Sequence, residues 1–401
     1  MGCKAKTAAM PGGIGRIFNA ADRPSPGMRR MRGFIQRCLN PNAGNQMNRS
    51  AVIDTIKALA SQVIVLHHLS LYTPMTDWIA MAWPRLVEFI EEDGRLAVQP
   101  FLVIGGFLAA QSVSKQRGEA IAPLIWKRYL RLAPQLGVAL ILVVLATLWL
   151  GSELSNEDWL SPLPSIGVFL AHLFFLQDVL GIPSMSAGAW YVAIDMQLFG
   201  LFVMLAHVAH KFERPLSESF APAIVAIATM ASIHVFSREP ALDVWAIYYL
   251  SAYGLGALVA WSRDSSRARR WLVVTVVLLL LDWFSDPRAR PALALITSFS
   301  LHALSHIKWH HTVSFIRKGI QYLSDVSYSM FVSHFAVIII VSGLWEKFDL
   351  EGMAVAWLFV ALAWLAALAV GVGVQWVCDT SRRQVVARWL NRRAGDRVGS
   401  T

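Results

Sequence analysis

Four polar side chains with the chemistry of a catalytic site lie along the first apolar segment of the chain, at about 52–72. They are Asp54, Lys57, Ser61 and His68. At about 100° per helical residue, these four positions fall within an arc of about 60°. An imidazole can act as a general base, and an ammonium group can bind an anion. Because ionisable groups within a membrane span are energetically costly, this face indicates a functional site.

Lys57 and His68 are predicted to lie near opposite ends of this segment. They are eleven residues apart in the sequence, which corresponds to about 16 Å along a helix axis. The adjacent His67 points roughly 80° away from Lys57, so His68 is the candidate general base. The alternative for His68 is a structural histidine that forms a hydrogen bond between packed helices.

A pair of arginines, Arg128 and Arg131, begins the third apolar segment. Residues three apart are neighbours on a helix surface. Guanidinium groups bind phosphates in a planar, bidentate manner that lysine cannot reproduce. The pair therefore predicts a site for a phosphorylated ligand. The alternative is anchoring at the cytoplasmic face, where Lys and Arg are enriched.

A carboxylate, Asp195, falls within the apolar segment at about 189–209, and Tyr191 lies one turn earlier on the same side. We expect Asp195 near the outer face of the membrane, at a depth similar to that of His68. There it can orient an imidazole or bind a sugar hydroxyl. The alternative is a hydrogen bond between packed helices.

Further histidines occur at two places. His334 shares a face of the segment at about 326–344 with Ser327, and both a structural and a functional role are open. The second place is a set whose spacing of four residues resembles that of metal ligands. It consists of His302, His306, His310 and His311. Because this set runs into a basic loop and has no cysteine nearby, we expect no metal site.

The elements that carry these residues are predicted to be membrane-spanning helices. Of the 401 residues, 56% are hydrophobic and 15% are charged, whereas a soluble chain carries about a quarter charged residues. Several charge-free segments are long enough to cross about 30 Å of hydrocarbon. This excludes a soluble protein and predicts an all-α membrane protein with about ten spans. The spans lie near 52–72, 96–113, 132–150, 189–209, 220–237, 241–261, 271–285, 290–307, 326–344 and 354–377.

Charges in the connecting loops set the predicted topology. Basic and acidic loops alternate along the chain, and basic loops are expected in the cytoplasm. The segment 166–180 breaks this alternation if it crosses the membrane, because the cluster Arg263–Arg270 would then lie outside. We therefore expect 166–180 to be re-entrant or interfacial, with both termini of the chain in the cytoplasm.

The chain divides into a central domain and two basic tails. Residues 1–50 hold nine basic residues and one acidic residue, which predicts a disordered cytoplasmic tail that contacts anionic lipid. Residues 51–378 form the predicted transmembrane domain, and residues 379–401 form a second basic tail. The formal net charge of +10 arises from Lys and Arg beside apolar segments. It therefore indicates membrane topology and not a nucleic-acid partner.

Five motifs, in this order, resemble those of the acyltransferase-3 family of membrane acyltransferases. The family's basic residue and histidine, with ten residues between them, are matched by Lys57 and His68, and Asp54 is also in its expected place. The other four motifs are Phe101–Phe107, Arg128-x-x-Arg131 before Pro134, Trp190 with Asp195, and Ser327-Tyr328-x-x-Phe331-x-x-His334. Four positions depart from the commoner residue, namely Lys57 for Arg, Gly105 for Ser, Asp195 for Glu and Phe331 for Tyr.

The resemblance implies a cytoplasmic acyl-CoA donor and a hydroxyl acceptor on an extracytoplasmic glycan or lipid-linked sugar. It implies transfer of an acetyl or other short acyl group in a bacterial inner (plasma) membrane, with no tightly bound cofactor. His68 and Asp195 are then the catalytic residues. The predicted topology agrees, because it puts these two residues at the outer end and the cations at the inner end. The implied donor-binding residues are Lys57, Arg128 and Arg131, and the supporting ones are Asp54, Ser61, Trp190, Tyr191, Tyr328 and His334.

The alternative interpretation is a protein of another class, namely a multi-span transporter or exporter of a polysaccharide or small solute. Charges within the membrane also mark transport paths, but that class predicts inverted repeats with paired broken helices. The sequence contains no recognisable repeat of this kind. A third possibility is a sensor or scaffold that retains a degenerate acyltransferase fold. Acyl transfer or hydrolysis from acyl-CoA distinguishes these classes.

Overall fold

The computed structural model describes residues 50–115, 121–154, 160, 162–210, 215, 218–304, 307 and 313–398, with the side chains of the last helix described as far as Ser381. Some predicted features lie outside the described residues. They are the tail 1–49, the basic loop at 211–214, the clustered histidines other than His302, and the side chains of the C-terminal tail beyond Ser381.

The described residues form helices with non-helical connections between them and contain no β-strand, which confirms the all-α prediction. The helices are α1 Ala51–Tyr72, α2 Met75–Ala80, α3 Pro84–Asp93, α4 Val98–Ser114, α5 Ile121–Leu150, α6 Ile166–Leu173, α7 Ala189–His210, α8 Ala221–His234, α9 Ala246–Ser262, α10 Ser266–Ser285, α11 Ala289–Leu304, α12 Ser314–Lys347 and α13 Met353–Val398.

Seven helical stretches within the described residues are long and apolar enough to cross a membrane, so the chain is an integral membrane protein. They coincide with seven of the ten predicted spans. The other three predicted spans fall on α9, α10 and α11. Helices α9 and α11 have 17 and 16 residues, and the first turns of α10 carry Arg267, Arg269 and Arg270. The total of ten spans therefore stays a prediction.

Helix α12 is the centre of the fold. Its middle, from Val326 to Trp345, is largely buried, and it packs against both α1 and α5. Hydrogen bonds fix both contacts. Ser342 Oγ donates to the carbonyl of Tyr72 at the end of α1 (3.1 Å), and Tyr328 Oη donates to the carbonyl of Leu132 in α5 (3.0 Å). The residues of α12 that carry the last sequence motif are thus held between two other helices.

Helices α4 and α9 cross in direct backbone contact. A Cβ atom on Gly106 would collide with the carbonyl of Tyr253, and one on Gly256 would collide with the carbonyl of Val103. Only glycine fits at these two positions, and such close approach is how helices gain van der Waals contact within a membrane. The crossing of α4 and α9 therefore depends on these two glycines.

The segment 166–180 contains only the short helix α6, which has eight residues and a length of about 12 Å. The chain then turns at Phe175, whose φ is +61°. His172 ties this turn together, because its Nδ1 donates to the carbonyl of Val168 (2.8 Å) and its Nε2 accepts from the backbone N–H of Met185 (3.0 Å). Burial lowers the pKa of His172 and favours this neutral form. A helix of this length is too short to cross a membrane, as the re-entrant or interfacial interpretation requires.

Candidate active site

Two histidines from distant parts of the chain form a hydrogen-bonded pair in the buried core. Nδ1 of His68, in α1, lies 2.8 Å from Nε2 of His334, in α12. The two rings are nearly parallel, with an angle of 9° between their planes and 4.8 Å between their centroids. Nδ1 of His334 lies 2.7 Å from the carbonyl oxygen of Phe331. The contact between α1 and α12 therefore links two imidazoles to a backbone carbonyl.

The partners of each nitrogen assign the protons in this chain of hydrogen bonds. A carbonyl oxygen can only accept, so Nδ1 of His334 carries a proton and donates to Phe331. In the neutral ring, Nε2 of His334 then accepts a hydrogen bond from Nδ1–H of His68. This leaves the lone pair of His68 Nε2 available, and no described residue forms a hydrogen bond with that nitrogen. An imidazole in this tautomer can take a proton from a hydroxyl group.

His67 faces a different part of the molecule. Its Nδ1 lies 3.0 Å from the carbonyl of Ile90 in α3, and its Cβ packs so closely on Gly94 that a side chain there would collide with it. His67 therefore holds α1 against the segment that leads into α4. This agrees with the helical-face argument, which selects His68 over its neighbour.

The inner half of α1 contacts α12 through Ser324. Nζ of Lys57 donates to the carbonyl of Ser324 (2.9 Å), and Oγ of Ser324 donates to Oδ1 of Asp54 (2.8 Å). Asp54 is buried. Together with His68, these contacts place three residues of the polar face of α1 against α12. The predicted common face is confirmed for these three residues.

Ser61, the fourth residue of that face, makes a local contact. Its hydroxyl donates to the carbonyl of Ala58 in its own helix (3.0 Å). The adjacent Gln62 is not among the predicted site residues. Its Nε2 donates to Ser61 Oγ (3.1 Å), and its Oε1 accepts a hydrogen bond from Nε1 of Trp364 in α13 (2.9 Å). A neutral amide within an apolar segment was the available signal. Gln62 ties α13 to the polar face of α1.

Arg128 and Asp195 form a buried ion pair, and the prediction that they lie at opposite ends of the membrane is wrong. Nη2 of Arg128 donates to both carboxylate oxygens of Asp195, at 2.7 and 2.5 Å. Arg128 is the eighth residue of α5, which begins at Ile121, and not part of a loop before a span that begins at 132. Its long side chain reaches Asp195, the seventh residue of α7. Asp195 therefore orients a guanidinium and not an imidazole.

The side chain of Arg131 is exposed, as is that of Lys127. The two predicted donor-binding arginines thus differ, since Arg128 is committed to an ion pair and Arg131 lies at the surface. Tyr328, whose hydroxyl binds the carbonyl next to Arg131 in the chain, holds this part of α5 on α12.

Three aromatic rings, Phe101, Tyr191 and Phe331, lie between the histidine pair and the ion pair. The centroid of Phe331 is 6.2 Å from that of His334, 5.2 Å from that of Tyr191 and 6.4 Å from that of Phe101. Tyr191 in turn interacts electrostatically with both charges of the ion pair. We call these three rings the aromatic layer. Its ring contacts run from His334 to the residue that interacts with the ion pair.

Trp190 and the clustered histidines are the remaining predicted positions. Trp190 packs against Tyr191 and against Tyr249 of α9, with centroids 6.2 and 5.6 Å apart. Of the four clustered histidines, only His302 is described. Within the described ranges, no group of three or more His, Cys, Asp or Glu could hold a metal ion.

Comparison with known proteins assigns the chain to a family. A curated protein from Caenorhabditis elegans, "Regulator of hypoxia-inducible factor 1", is 30% identical over 125 residues, which is 30% of this chain and 24% of that protein. The match thus spans about a quarter of the relative's length. No solved structure matches the chain. The model of the acyltransferase domain family matches residues 51–378, which include both polar centres. The chain therefore belongs to the acyltransferase-3 family and is a membrane acyltransferase.

Proposed function

We propose that the protein transfers a short acyl group, such as acetyl, from cytoplasmic acyl-CoA to a hydroxyl of an extracytoplasmic glycan or glycolipid. The observation that carries this proposal is the hydrogen-bonded pair of His68 and His334. It leaves one imidazole nitrogen free to accept a proton, as O-acylation of a hydroxyl requires.

The reaction follows from this arrangement. Nε2 of His68 takes the proton of the acceptor hydroxyl while the oxygen attacks the thioester carbonyl of the donor. The C–S bond then breaks, the CoA thiolate leaves, and His68 passes the proton to the sulfur. The products are an ester on the acceptor and free CoA. The hydrogen bond from Nδ1 of His68 to His334 holds the ring in the tautomer that the first step needs.

The donor is bound from the cytoplasmic side in this proposal. Arg131, which is exposed, and Lys57 supply positive charge for the phosphates of CoA. Arg128 lies deeper, and Asp195 fixes its guanidinium and neutralises its charge. Asp195 is then a positioning residue, whereas the sequence analysis expected it beside the catalytic imidazole. Acyl-CoA is a substrate, and the proposal requires no bound cofactor.

The acceptor side and the location follow from the predicted topology. Both termini lie in the cytoplasm of a bacterial cell, and His68, near the end of α1, faces the outer side of the inner (plasma) membrane. Its partner there is a carbohydrate or a lipid-linked sugar. The basic tail before α1 contacts anionic lipid.

The test is acyl transfer by the purified protein, reconstituted in liposomes and supplied with acetyl-CoA and a surface glycan fraction. Release of the CoA thiol and mass spectrometry of the glycan measure transfer. His68→Ala should lower the rate by about 10²–10⁴-fold, the usual contribution of a general base. His67→Ala is the matched control, and it should leave a folded and largely active protein because the hydrogen bond of His67 goes to Ile90 in α3 and not to the histidine pair. Equal loss in the two variants would contradict the assignment of His68.

A further inference from the structure

Two hydrogen-bond donors beside the ion pair have no partner among the described residues. One is Oη of Tyr253, whose side chain is completely buried in α9. The other is Nε of Arg128, which is also inaccessible to solvent. Arg128 contacts Asp195 only through Nη2, so Nε stays available. Buried donors in folded proteins almost always have a partner, and these two call for an explanation.

The two donors belong to one small region. The ring carbon Cε2 of Tyr253 lies 3.1 Å from the point where a Cβ on Gly105 would stand, and Oδ1 of Asp195 lies 3.5 Å from the same point. The absence of a side chain at Gly105 lets the phenol ring and the carboxylate approach one another. Tyr253 also interacts electrostatically with both Asp195 and Arg128. The unpaired hydroxyl therefore lies at the ion pair and not elsewhere in the core.

An unpaired buried hydroxyl lowers the stability of a fold, and a phenylalanine of the same shape would avoid that cost. A packing role alone does not require the oxygen, because the ring makes its contact with Phe202 (5.1 Å between centroids) without it. The oxygen therefore indicates a ligand that arrives from outside the chain. Since both free groups are donors, the ligand must present an acceptor atom.

The charges of the region limit which class of ligand can bind there. The charge of Arg128 is already balanced by Asp195, so a phosphate here would bring excess negative charge next to a carboxylate. A neutral carbonyl oxygen fits better. The depth agrees, because Tyr253 is the eighth of the 17 residues of α9 and lies in the middle of the helix. The aromatic layer separates this region from His68, so the reacting thioester itself lies further on.

We propose that Tyr253 Oη and Arg128 Nε donate hydrogen bonds to an amide carbonyl in the pantetheine arm of acyl-CoA. This inference rests on the proposed function. The pantetheine arm carries amide groups between the CoA phosphates, which Arg131 and Lys57 bind, and the thioester, which reacts at His68. Tyr253 becomes a donor-binding residue on a helix to which the sequence motifs assign no function.

The test measures ligand binding to the purified full-length Tyr253→Phe variant and to the wild-type protein. The ligands are CoA, acetyl-CoA and adenosine 3′,5′-bisphosphate, which lacks the pantetheine arm. Loss of one neutral hydrogen bond should lower the affinity for CoA and acetyl-CoA by about two- to tenfold and leave the affinity for the bisphosphate unchanged. Without ligand, the variant should melt at the same temperature as the wild type or higher, since it loses an unpaired buried hydroxyl. Tyr249→Phe is the control, because Tyr249 packs on Trp190 and its electrostatic neighbours include Asp243 and Arg290 but neither member of the ion pair.

Two results would overturn the inference. Unchanged CoA affinity in Tyr253→Phe would mean that the hydroxyl meets only water, and equal weakening of the bisphosphate would mean that the variant disturbs the whole donor site. Failure of the wild-type protein to bind CoA at all would instead reject the proposed function. The two failures are therefore distinguishable.

Discussion

The molecule contains two buried polar centres, and they differ in which hydrogen-bonding atoms remain available for a ligand. The pair of His68 and His334 joins α1 to α12 by a neutral hydrogen bond, and one imidazole nitrogen remains available. The pair of Arg128 and Asp195 joins α5 to α7 by opposite charges, and both carboxylate oxygens are occupied by one guanidinium nitrogen. In the proposed function, the first centre moves a proton and the second holds charges in place.

Under the proposed function, this difference separates the residues that react from those that bind the donor. A general base must take up and release a proton during each turnover. One of its nitrogens must therefore stay free of other partners. A binding group must instead keep its orientation, which a carboxylate partner provides. The aromatic layer of Phe101, Tyr191 and Phe331 lies between the two centres.

The largest effect on stability is expected from breaking the ion pair at one side. Asp195→Leu leaves the guanidinium of Arg128, whose side chain is only 19% exposed, without its partner. An uncompensated buried charge of this kind should lower the free energy of unfolding by about 3–5 kcal/mol. Thermal or denaturant unfolding of the detergent-solubilised protein measures this loss.

The control for this prediction removes both charges. Arg128→Met combined with Asp195→Leu replaces the pair by apolar side chains of similar volume, which is often neutral for stability. The double variant should therefore recover most of the stability but should not recover donor binding. If Asp195→Leu alone were as stable as the wild type, the ion pair would not be desolvated and its structural role would be refuted.

At the histidine centre, His334→Phe should lower the transfer rate by about a hundredfold, the low end of a general base's contribution. The ring still stacks on His68, but no acceptor remains for Nδ1–H, so His68 loses its fixed tautomer. His334→Gln keeps a side-chain carbonyl that can accept this hydrogen bond and should recover part of the rate. The measurement compares kcat and KM for acetyl-CoA in both variants.

A purely structural role of His334 predicts a different pattern. Both variants would then change stability in parallel with activity, and Gln would give no rescue over Phe. A fall in kcat with unchanged KM and unchanged melting temperature supports the positioning role. A rise in KM alone would argue against it.

The two arginines allow a smaller and more specific comparison. Arg131→Lys keeps the charge of an exposed side chain but loses bidentate contact with a phosphate, so CoA affinity should fall by about 1.5 kcal/mol, or roughly tenfold. Arg128→Lys should instead lower stability, because lysine cannot reproduce the guanidinium geometry at Asp195. CoA binding and thermal unfolding, measured side by side, separate the two. If Arg131→Lys binds CoA like the wild type, the residue is an anchor.

The sequence predicts those features that depend on one helix at a time. Helical periodicity places Asp54, Lys57 and His68 on one face, and in the structure all three residues contact α12. The all-α architecture follows from apolar length in the same way. Neither inference requires knowledge of which helices touch.

Pairings between helices could not be predicted in this way. Arg128 and Asp195 are 67 residues apart, and nothing in either segment specifies the other as its partner. Charged residues also mark the predicted limit of a span, so the third span is predicted to begin after Arg131, whereas α5 begins at Ile121 and includes both arginines. Arg128 therefore lies deeper than predicted. The role of Tyr253 depends on the missing side chain at Gly105, a contact that only the packed structure reveals.

The smallest expected effect concerns the space beside Gly105. In a helix, replacing glycine by alanine stabilises by about 1 kcal/mol when the methyl group fits. At Gly200 in α7 nothing lies within 4 Å of the new Cβ, so Gly200→Ala should show this full gain. At Gly105 the Cβ would lie 3.1 Å from the Tyr253 ring and 3.5 Å from Asp195 Oδ1, so the ring must shift. Gly105→Ala should therefore gain less than Gly200→Ala, and CoA affinity should fall by less than in Tyr253→Phe. Thermal unfolding of the two variants measures the difference. Equal gains would mean that the region beside the ion pair is not tightly packed, and the placement of the Tyr253 hydroxyl would then lose its support.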